Sequence, residues 1–329
     1  MTLYAVVQRT PTPANDAALD HPTARIYRAP EDLLADAAVD VVVVATPPDS
    51  HVGLCAAALD AGKHVLVEKP LASTAAEARE LAARARQRRR LLCVYQNRRW
   101  DADFLVFRRL QADGALGRVV EFESHFDRHR PAGARAWKAG LPMARGGGVL
   151  YDLGSHLLDQ AVVAFGLPRR VTAVFATQRQ DGAAEPDAVT VLLQYDRGLL
   201  ATIKAGVISI EAEQLRFWVR GTEGSWRKGG LDPQEDQLHA GMRPGDEGFG
   251  VEAEGRVGVL TVLEGDKIVK KPTRNIAPET YGVLYLKFAE AIEKNDEDLV
   301  PVKVSEVTDV LRIIEAVIES AREGKTVEL

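Results

Sequence analysis

The run VDVVVVAT (39–46), with four consecutive valines, narrows the possible folds more than any other stretch of the chain. A β-branched segment without a polar face reads as a strand covered on both sides, as in the middle of a parallel sheet. Four further strands are predicted around it: LYAVV (3–7), ARIYR (24–28), HVLVEK (64–69) and LLCVYQN (91–97). Helix-period segments separate them. EDLLADA follows Pro30, a second helix runs from Ser50 to Ala61 with Gly62 as its stop, and a third opens on Thr74 with Glu77 three residues later, a capping box. Strands alternating with helices call for a parallel sheet with helices on its faces.

The texture changes near Gly117. RVVEFESHF, RRVTAVFATQR, AVTVLLQY, GLLATIKAGVIS and LRFWVRG are long strand candidates of alternating polarity, which predicts a large, mainly antiparallel sheet with one open face. A helix over about Gly148–Gly166 accompanies them, and residues 229–257, rich in Gly and acidic side chains, read as a long surface loop. Two helices, about 279–294 and 305–323, close the chain, the second stopping at Gly324. With 329 residues, at roughly 150 per domain, two domains are expected: 1–117, Rossmann-like and dinucleotide-binding, and 118–329, an α/β domain for substrate and oligomerisation.

Charge excludes some partners. The 42 basic and 47 acidic residues leave −5, so no global basic field holds a nucleic acid or an anionic membrane, and a small-molecule partner is expected. Cys55 and Cys93 lie in apolar runs and read as buried thiols in a reducing compartment. Neither a secretory leader nor an apolar stretch of membrane-spanning length is seen, which together place the chain in the cytoplasm. RARQRRR (84–90) ends a helix, where cations suit the dipole. His125 and His129 are four apart without a third ligand at suitable spacing, so no metal is expected.

A doubly wound sheet commonly binds a nucleotide at the carboxyl ends of its strands. Neither G-x-G-x-x-G nor a P-loop occurs, and the chain opens as if on a second Rossmann strand, with the first βα unit missing. Past the opening strand come Gln8, Arg9 and Thr10, with no carboxylate until Asp16. A cation there suits a ribose 2′-phosphate, so NADP is favoured over NAD, with Arg9 as its contact. Lys69 follows a strand end and faces the crevice where a nicotinamide would lie. In GGGVLYDLGSHLLDQ, Asp152, His156 and Asp159 share one helix face at i, i+4 and i+7, and a carboxylate one turn from a histidine orients the ring as a general base requires.

These residues resemble a known family. ATPPDSH, AGKHVLVEKP, VYQNRRWDADF and GGGVLYDLGSHLLDQ are similar to the Gfo/Idh/MocA (glucose–fructose oxidoreductase / inositol dehydrogenase) family, and YQNRRWD, GLDPQEDQLHAG and the carboxyl-terminal tail are closest to its NADP-dependent scyllo-inositol dehydrogenase subgroup. The resemblance implies hydride transfer between a nicotinamide and a secondary alcohol or ketone of a cyclic polyol or sugar. Lys69 would hydrogen-bond the reacting oxygen, His156 would exchange its proton, and Asp152 would position both. It implies that Thr46, Pro47 and His51 line the nicotinamide ribose, that Glu68 and Lys69 flank the ring, and that Asn97 and Arg98 continue the wall. It also implies a frequently cis Lys69–Pro70 bond and homodimers or larger oligomers through the open sheet. Trp137, Arg99, Tyr151 and Gln160 are candidates for polyol contacts. The competing expectation is a sensor of the same fold that keeps the pocket without turnover, its cofactor site weakened by the missing glycine turn.

Overall fold

The valine run does become a strand, within a set of parallel pairings. In the computed structural model, which describes residues 1–132, 140–180, 182, 185–253, 255–274 and 279–329, β1 (Ala5–Val7) pairs with β2 (Arg25–Tyr27), and β3 (Val41–Val44), β4 (His64–Glu68) and β5 (Leu92–Tyr95) pair in that order, all parallel. Helices alternate with them: α1 (Ala17–Asp20), α2 (Pro30–Ala35), α3 (His51–Asp60) and α4 (Ala75–Arg88). The sequence signals act where they stand. Gly62 past α3 has φ +75°, and at α4 the Thr74 hydroxyl accepts from the Glu77 amide while the Glu77 carboxylate accepts from the Thr74 amide. Past α2, Asp36 ties the β1–β2 pair down. Its carboxylate accepts from the Ala38 amide and from the Tyr27 and Tyr4 hydroxyls, which together hold its pKa at about 2.

The expected two-sided cover of β3 is not found. Val44 is buried, but Val43 is 50% exposed and Val41 and Val42 are half-buried. The reason lies in the pairing: β4 flanks one edge of β3, and among the described residues no strand pairs with the other edge.

After β5 come α5 (Ala102–Ala112) and a nine-stranded sheet. Its members are β6 (Val119–Asp127), β7 (Arg170–Ala176), β8 (Ala188–Gln194), β9 (Leu200–Gly206), β10 (Leu215–Gly221), β11 (Gly224–Gly229), β12 (Gly258–Glu264), β13 (Lys267–Thr273) and β14 (Val327–Glu328). The order is β13-β12-β11-β10-β6-β9-β8-β7-β14, and every pair is antiparallel except β6 with β9. One face carries the core: Phe122, Phe217 and Trp226 gather around Phe107 of α5 with ring centroids 5.2 to 6.5 Å apart. Burying each such ring stabilises the fold by about 1.5–3 kcal/mol. The other face is open, as expected, and exposes Val174, Trp218 and Val259.

The remaining helices are α6 (Ser155–Phe165), α7 (Gln234–His239), α8 (Gly282–Lys294) and α9 (Val304–Glu323). The helix expected over about 148–166 divides, a π-helical turn (Leu150–Gly154) preceding α6. Residues 229–257, expected to be a surface loop, contain α7 and bury Asp232, Gln234 and Phe249. β11, β12 and β13 were not expected: β11 reads GSWRKG with a glycine at each end and β13 is an edge strand with exposed lysines and Pro272, whereas GVLTVLE of β12 does carry a β-branched strand signal.

The chain divides into two compact units, Met1–Tyr95 with Leu284–Thr308 and Gln96–Val283 with Asp309–Leu329. A single division near residue 117 was expected. Residues 96–116 go with the second unit because Arg108 bonds the Val163 carbonyl of α6 at 2.8 Å. The first unit regains 284–308, where Tyr285 packs on Tyr95 at 5.6 Å.

Candidate functional site

Each unit carries part of the expected constellation. In the first, the chain leaves β3 through Thr46 and Pro47 into a 3-10 turn (Pro48–Ser50) and then α3. Ser50 donates to the Pro47 carbonyl at 2.7 Å, so the Thr46 hydroxyl, 2.6 Å away, donates to Ser50. His51 is fully buried. Its Nδ1 lies 2.7 Å from the Pro70 carbonyl and its Nε2 2.8 Å from the Thr46 carbonyl, so one ring joins the segments that follow β3 and β4. At the end of β4, Glu68 and Lys69 are half-buried, and the Lys69–Pro70 bond is cis, as the resemblance implied. Burial pushes the Glu68 carboxyl above its ordinary range, against the pull of Lys69 and of the Lys69 amide, 3.3 Å from Oε2. Arg9 is exposed two residues beyond β1.

In the second unit the segment after β5 and the helix α6 lock together. Gln96 precedes a 3-10 turn, Asn97–Trp100. The Gln96 side-chain carbonyl lies 3.2 Å from Nδ1 of His156, and both residues are buried. One turn further along α6, Asp159 accepts two bonds from Arg99, at 2.8 and 2.7 Å. The next residue, Gln160, donates to the Arg98 carbonyl at 2.7 Å and accepts from Arg216 at 2.7 Å. Asp152, four residues before His156, is half-buried within the π-helical turn, a feature that recurs at functional sites. The glycines ahead of it permit close approach: a Cβ on Gly147 would stand 1.9 Å from the Leu141 carbonyl oxygen.

Beneath this segment lies a buried polar network. Arg98 faces Asp101 at 3.3 Å, pairs with Glu235, and stacks over Phe126 at 4.6 Å. Arg216 bonds Asp103 and Ser124 as well as Gln160. Burial pushes Asp101 well above the carboxylate range, against Arg98 and with Asp232 and Asp103 adding to the rise. Burial also pushes Asp232 up to about 6, although the Ala102 and Gln234 amides bond it. Arg128, past the end of β6, has its pKa lowered by burial. Glu235 and Asp152 act the other way, so its charge lies within reach of Asp152.

The geometry re-sorts several candidates. Arg99 and Gln160 are engaged inside the unit, on Asp159 and on Arg216 with the Arg98 carbonyl, and do not present themselves to a polyol. The Arg98 guanidinium points into the network, and Asn97 beside it is half-buried. Tyr151 is buried, and Trp137 lies outside the described residues. His125 sits between Asp127 at 3.1 Å and Glu123 at 3.6 Å, and among the described residues no group of three or more His, Cys, Asp or Glu side chains is arranged to hold a metal. Sequence reasoning missed Gln96, Arg128 and Glu235. A signal existed for Arg128: alternation along β6 puts it in phase with the buried Phe122, Ser124 and Phe126, where an apolar residue is the norm.

Comparison with known proteins agrees with the break near residue 96. A family model described as "Oxidoreductase family, NAD-binding Rossmann fold" (Gfo/Idh/MocA) matches residues 1–96, and its companion, "Oxidoreductase family, C-terminal alpha/beta domain", matches 108–329. The chain is 42% identical over 308 residues to the uncharacterized oxidoreductase YdgJ of Escherichia coli (strain K12), covering 93% of this chain and 86% of YdgJ. It is 37% identical over 311 residues to the scyllo-inositol 2-dehydrogenase (NADP(+)) IolW of Bacillus subtilis (strain 168), covering 94% and 84%. A solved oxidoreductase from Bacillus cereus superposes with a TM-score of 0.86 at 29% identity, covering 99% of this chain and 90% of that one.

Proposed function

Because the chain belongs to the Gfo/Idh/MocA oxidoreductase family, we propose that it is an NADP(H)-dependent dehydrogenase or reductase of a secondary alcohol or ketone on a cyclic polyol or sugar, worked by Lys69, Asp152 and His156. The observation that carries this reading is the buried imidazole of His156, held at Nδ1, with Asp152 one turn before it. Oxidising an alcohol needs a base and a positive hydrogen-bond donor on one oxygen. His156 takes the hydroxyl proton, the Lys69 ammonium stabilises the oxygen as charge develops, and Asp152 orients substrate and ring. In the reductive direction the same two side chains donate.

The residues at the carboxyl ends of β1, β3 and β4 fit a nicotinamide nucleotide. Arg9 is an exposed cation where a 2′-phosphate would fall, Thr46 and Pro47 are exposed, and Glu68 and Lys69 stand at the next strand end. Thr46 and Pro47 would line the ribose; His51, also expected there, is fully buried with its two ring nitrogens against the Thr46 and Pro70 carbonyls and would instead brace the turn from behind, while Glu68, Lys69, Asn97 and the turn carrying Arg98 would stand beside the ring. The cofactor, when bound, supplies or accepts the hydride. NADP is preferred to NAD because the strand-end sequence Gln8-Arg9-Thr10 carries a cation and no carboxylate to accept ribose hydroxyls, and the NADP(+) specificity in the name of IolW supports that choice. The substrate is a small molecule and not a nucleic acid, given a net charge of −5. The proposed compartment is the cytoplasm, on the strength of two buried free thiols, Cys55 and Cys93. No helix among the described residues is long and apolar enough to cross a membrane. A second copy of the chain is the proposed partner for the open sheet face.

Titration with NADPH, followed by nicotinamide fluorescence, and turnover on a panel of inososes and ketoses test the reading. Saturable binding with turnover, and a loss of several orders of magnitude in kcat for Lys69→Ala with NADPH affinity nearly intact, are expected. Full turnover by Lys69→Ala would overturn the assignment, and binding without turnover on any substrate would place the chain among sensors.

A further inference from the structure

We infer that Gln96 is a positioning residue that selects the working tautomer of His156. The inference rests on the proposed role of His156 as the proton-exchanging group. A neutral imidazole carries one N–H, and the hydrogen bond made by one nitrogen decides which nitrogen holds the lone pair. The Gln96 side-chain oxygen, an acceptor, faces Nδ1 at 3.2 Å. It therefore keeps the proton on Nδ1 and the lone pair on Nε2, the nitrogen that then exchanges a proton with the substrate hydroxyl.

Three further contacts hold Gln96 in register. Arg99 closes the 3-10 turn by donating its amide to the Gln96 carbonyl at 3.2 Å. Its guanidinium grips Asp159 through two bonds, one turn along α6 from His156. Gln160 then holds the Arg98 carbonyl, and its own amide orientation is unambiguous because Arg216 can only donate to its oxygen. Residues 156, 159 and 160 thus engage 96, 99 and 98, and the segment cannot slide without breaking all of these bonds.

The partner at Nδ1 is neutral, which makes the role measurable. The charged groups on neighbouring elements are Asp152 in the π-helical turn, Asp159 with its partner Arg99, and Arg128 past β6, whose charge feels Asp152. Gln96→Glu adds a carboxylate at Nδ1 and should raise the basicity of the ring, because an opposite charge this close favours the protonated form.

Two measurements test the inference. In the wild-type protein, long-range nitrogen NMR of the His156 ring at alkaline pH should show a protonated Nδ1 and an unprotonated Nε2; the reverse would overturn it, independently of any activity. In the variants, kcat/KM for polyol oxidation is followed against pH. Gln96→Glu should move the acid limb up by about one pH unit or more. Gln96→Leu should lower kcat by at least roughly tenfold, as wrong-tautomer variants of catalytic histidines do, with the KM for NADP unchanged. An unmoved limb in Gln96→Glu, or a kcat within twofold in Gln96→Leu, would refute it. Inactivity of His156→Ala tests the underlying reading separately: if that variant turns over normally, the assignment of the base fails and not merely that of its positioner.

Discussion

Arg216 and Asp103 offer the most direct test of how the buried network supports the site. Both side chains are almost completely buried, with the Arg216 Nε 3.2 Å from an Asp103 oxygen, and Arg216 also bonds Ser124 at 2.8 Å and Gln160 at 2.7 Å. Asp103→Ala removes the carboxylate and leaves a guanidinium among neutral acceptors in the core. Breaking one side of a buried pair costs about 3–5 kcal/mol, a shift of roughly 1–2.5 M in a urea midpoint at a slope of roughly 2–3 kcal/mol/M. Tryptophan fluorescence suits the assay, because Trp100, Trp137, Trp218 and Trp226 all fall within Gln96–Val283 and report the second unit alone. Arg216→Met should cost as much or more, since it also orphans Ser124 and Gln160. Asp103→Ala combined with Arg216→Met removes both charges at once, so the double variant should be less destabilised than the sum of the singles by about 3 kcal/mol. Additivity within about 0.5 kcal/mol would refute the claim that the two charges depend on each other.

The raised Asp232 pKa makes a stability prediction with a definite sign. The folded-state value of about 6 exceeds the unfolded value of about 3.9. The folded state therefore holds the proton more tightly, and the stabilisation present below pH 4 is lost as pH rises to 6. The wild-type urea midpoint, compared with that of Asp232→Asn, should fall over that window by the equivalent of about 2 kcal/mol; a difference that does not change with pH would refute it. For the open sheet, light scattering should give twice the 35.9 kDa chain mass or a higher multiple for the wild type, and Trp218→Asp together with Val174→Lys should return it to one chain. A variant that stays dimeric places the partner elsewhere.

Much of the first unit was legible because its signals are local. Thr74 and Glu77 are three residues apart, Gly62 ends α3 by its own backbone freedom, and the valine run pairs as a strand wherever neighbours exist. The spacing of Asp152 and His156 was equally readable, since one helical turn relates them. The exposure of Val43 was not, because covering a strand is a property of what lies beside it. β13 was missed for a related reason: an edge strand has no second neighbour and shows little of the alternation that burial imposes.

Residue types and short spacings alone determined the strand–helix alternation, the caps, the lysine at the end of β4 and the histidine at the head of α6. Tertiary structure alone decided that Gln96 meets His156, that Arg99 is engaged on Asp159, and that Arg216, Gln160 and Arg98 form one network. Backbone preference and helical periodicity act over a few residues and can be read along the chain. The partner of a buried polar group is whichever complementary group folding brings within about 3 Å, and the stretch of chain between Gln96 and His156, 60 positions apart, carries no record of that meeting.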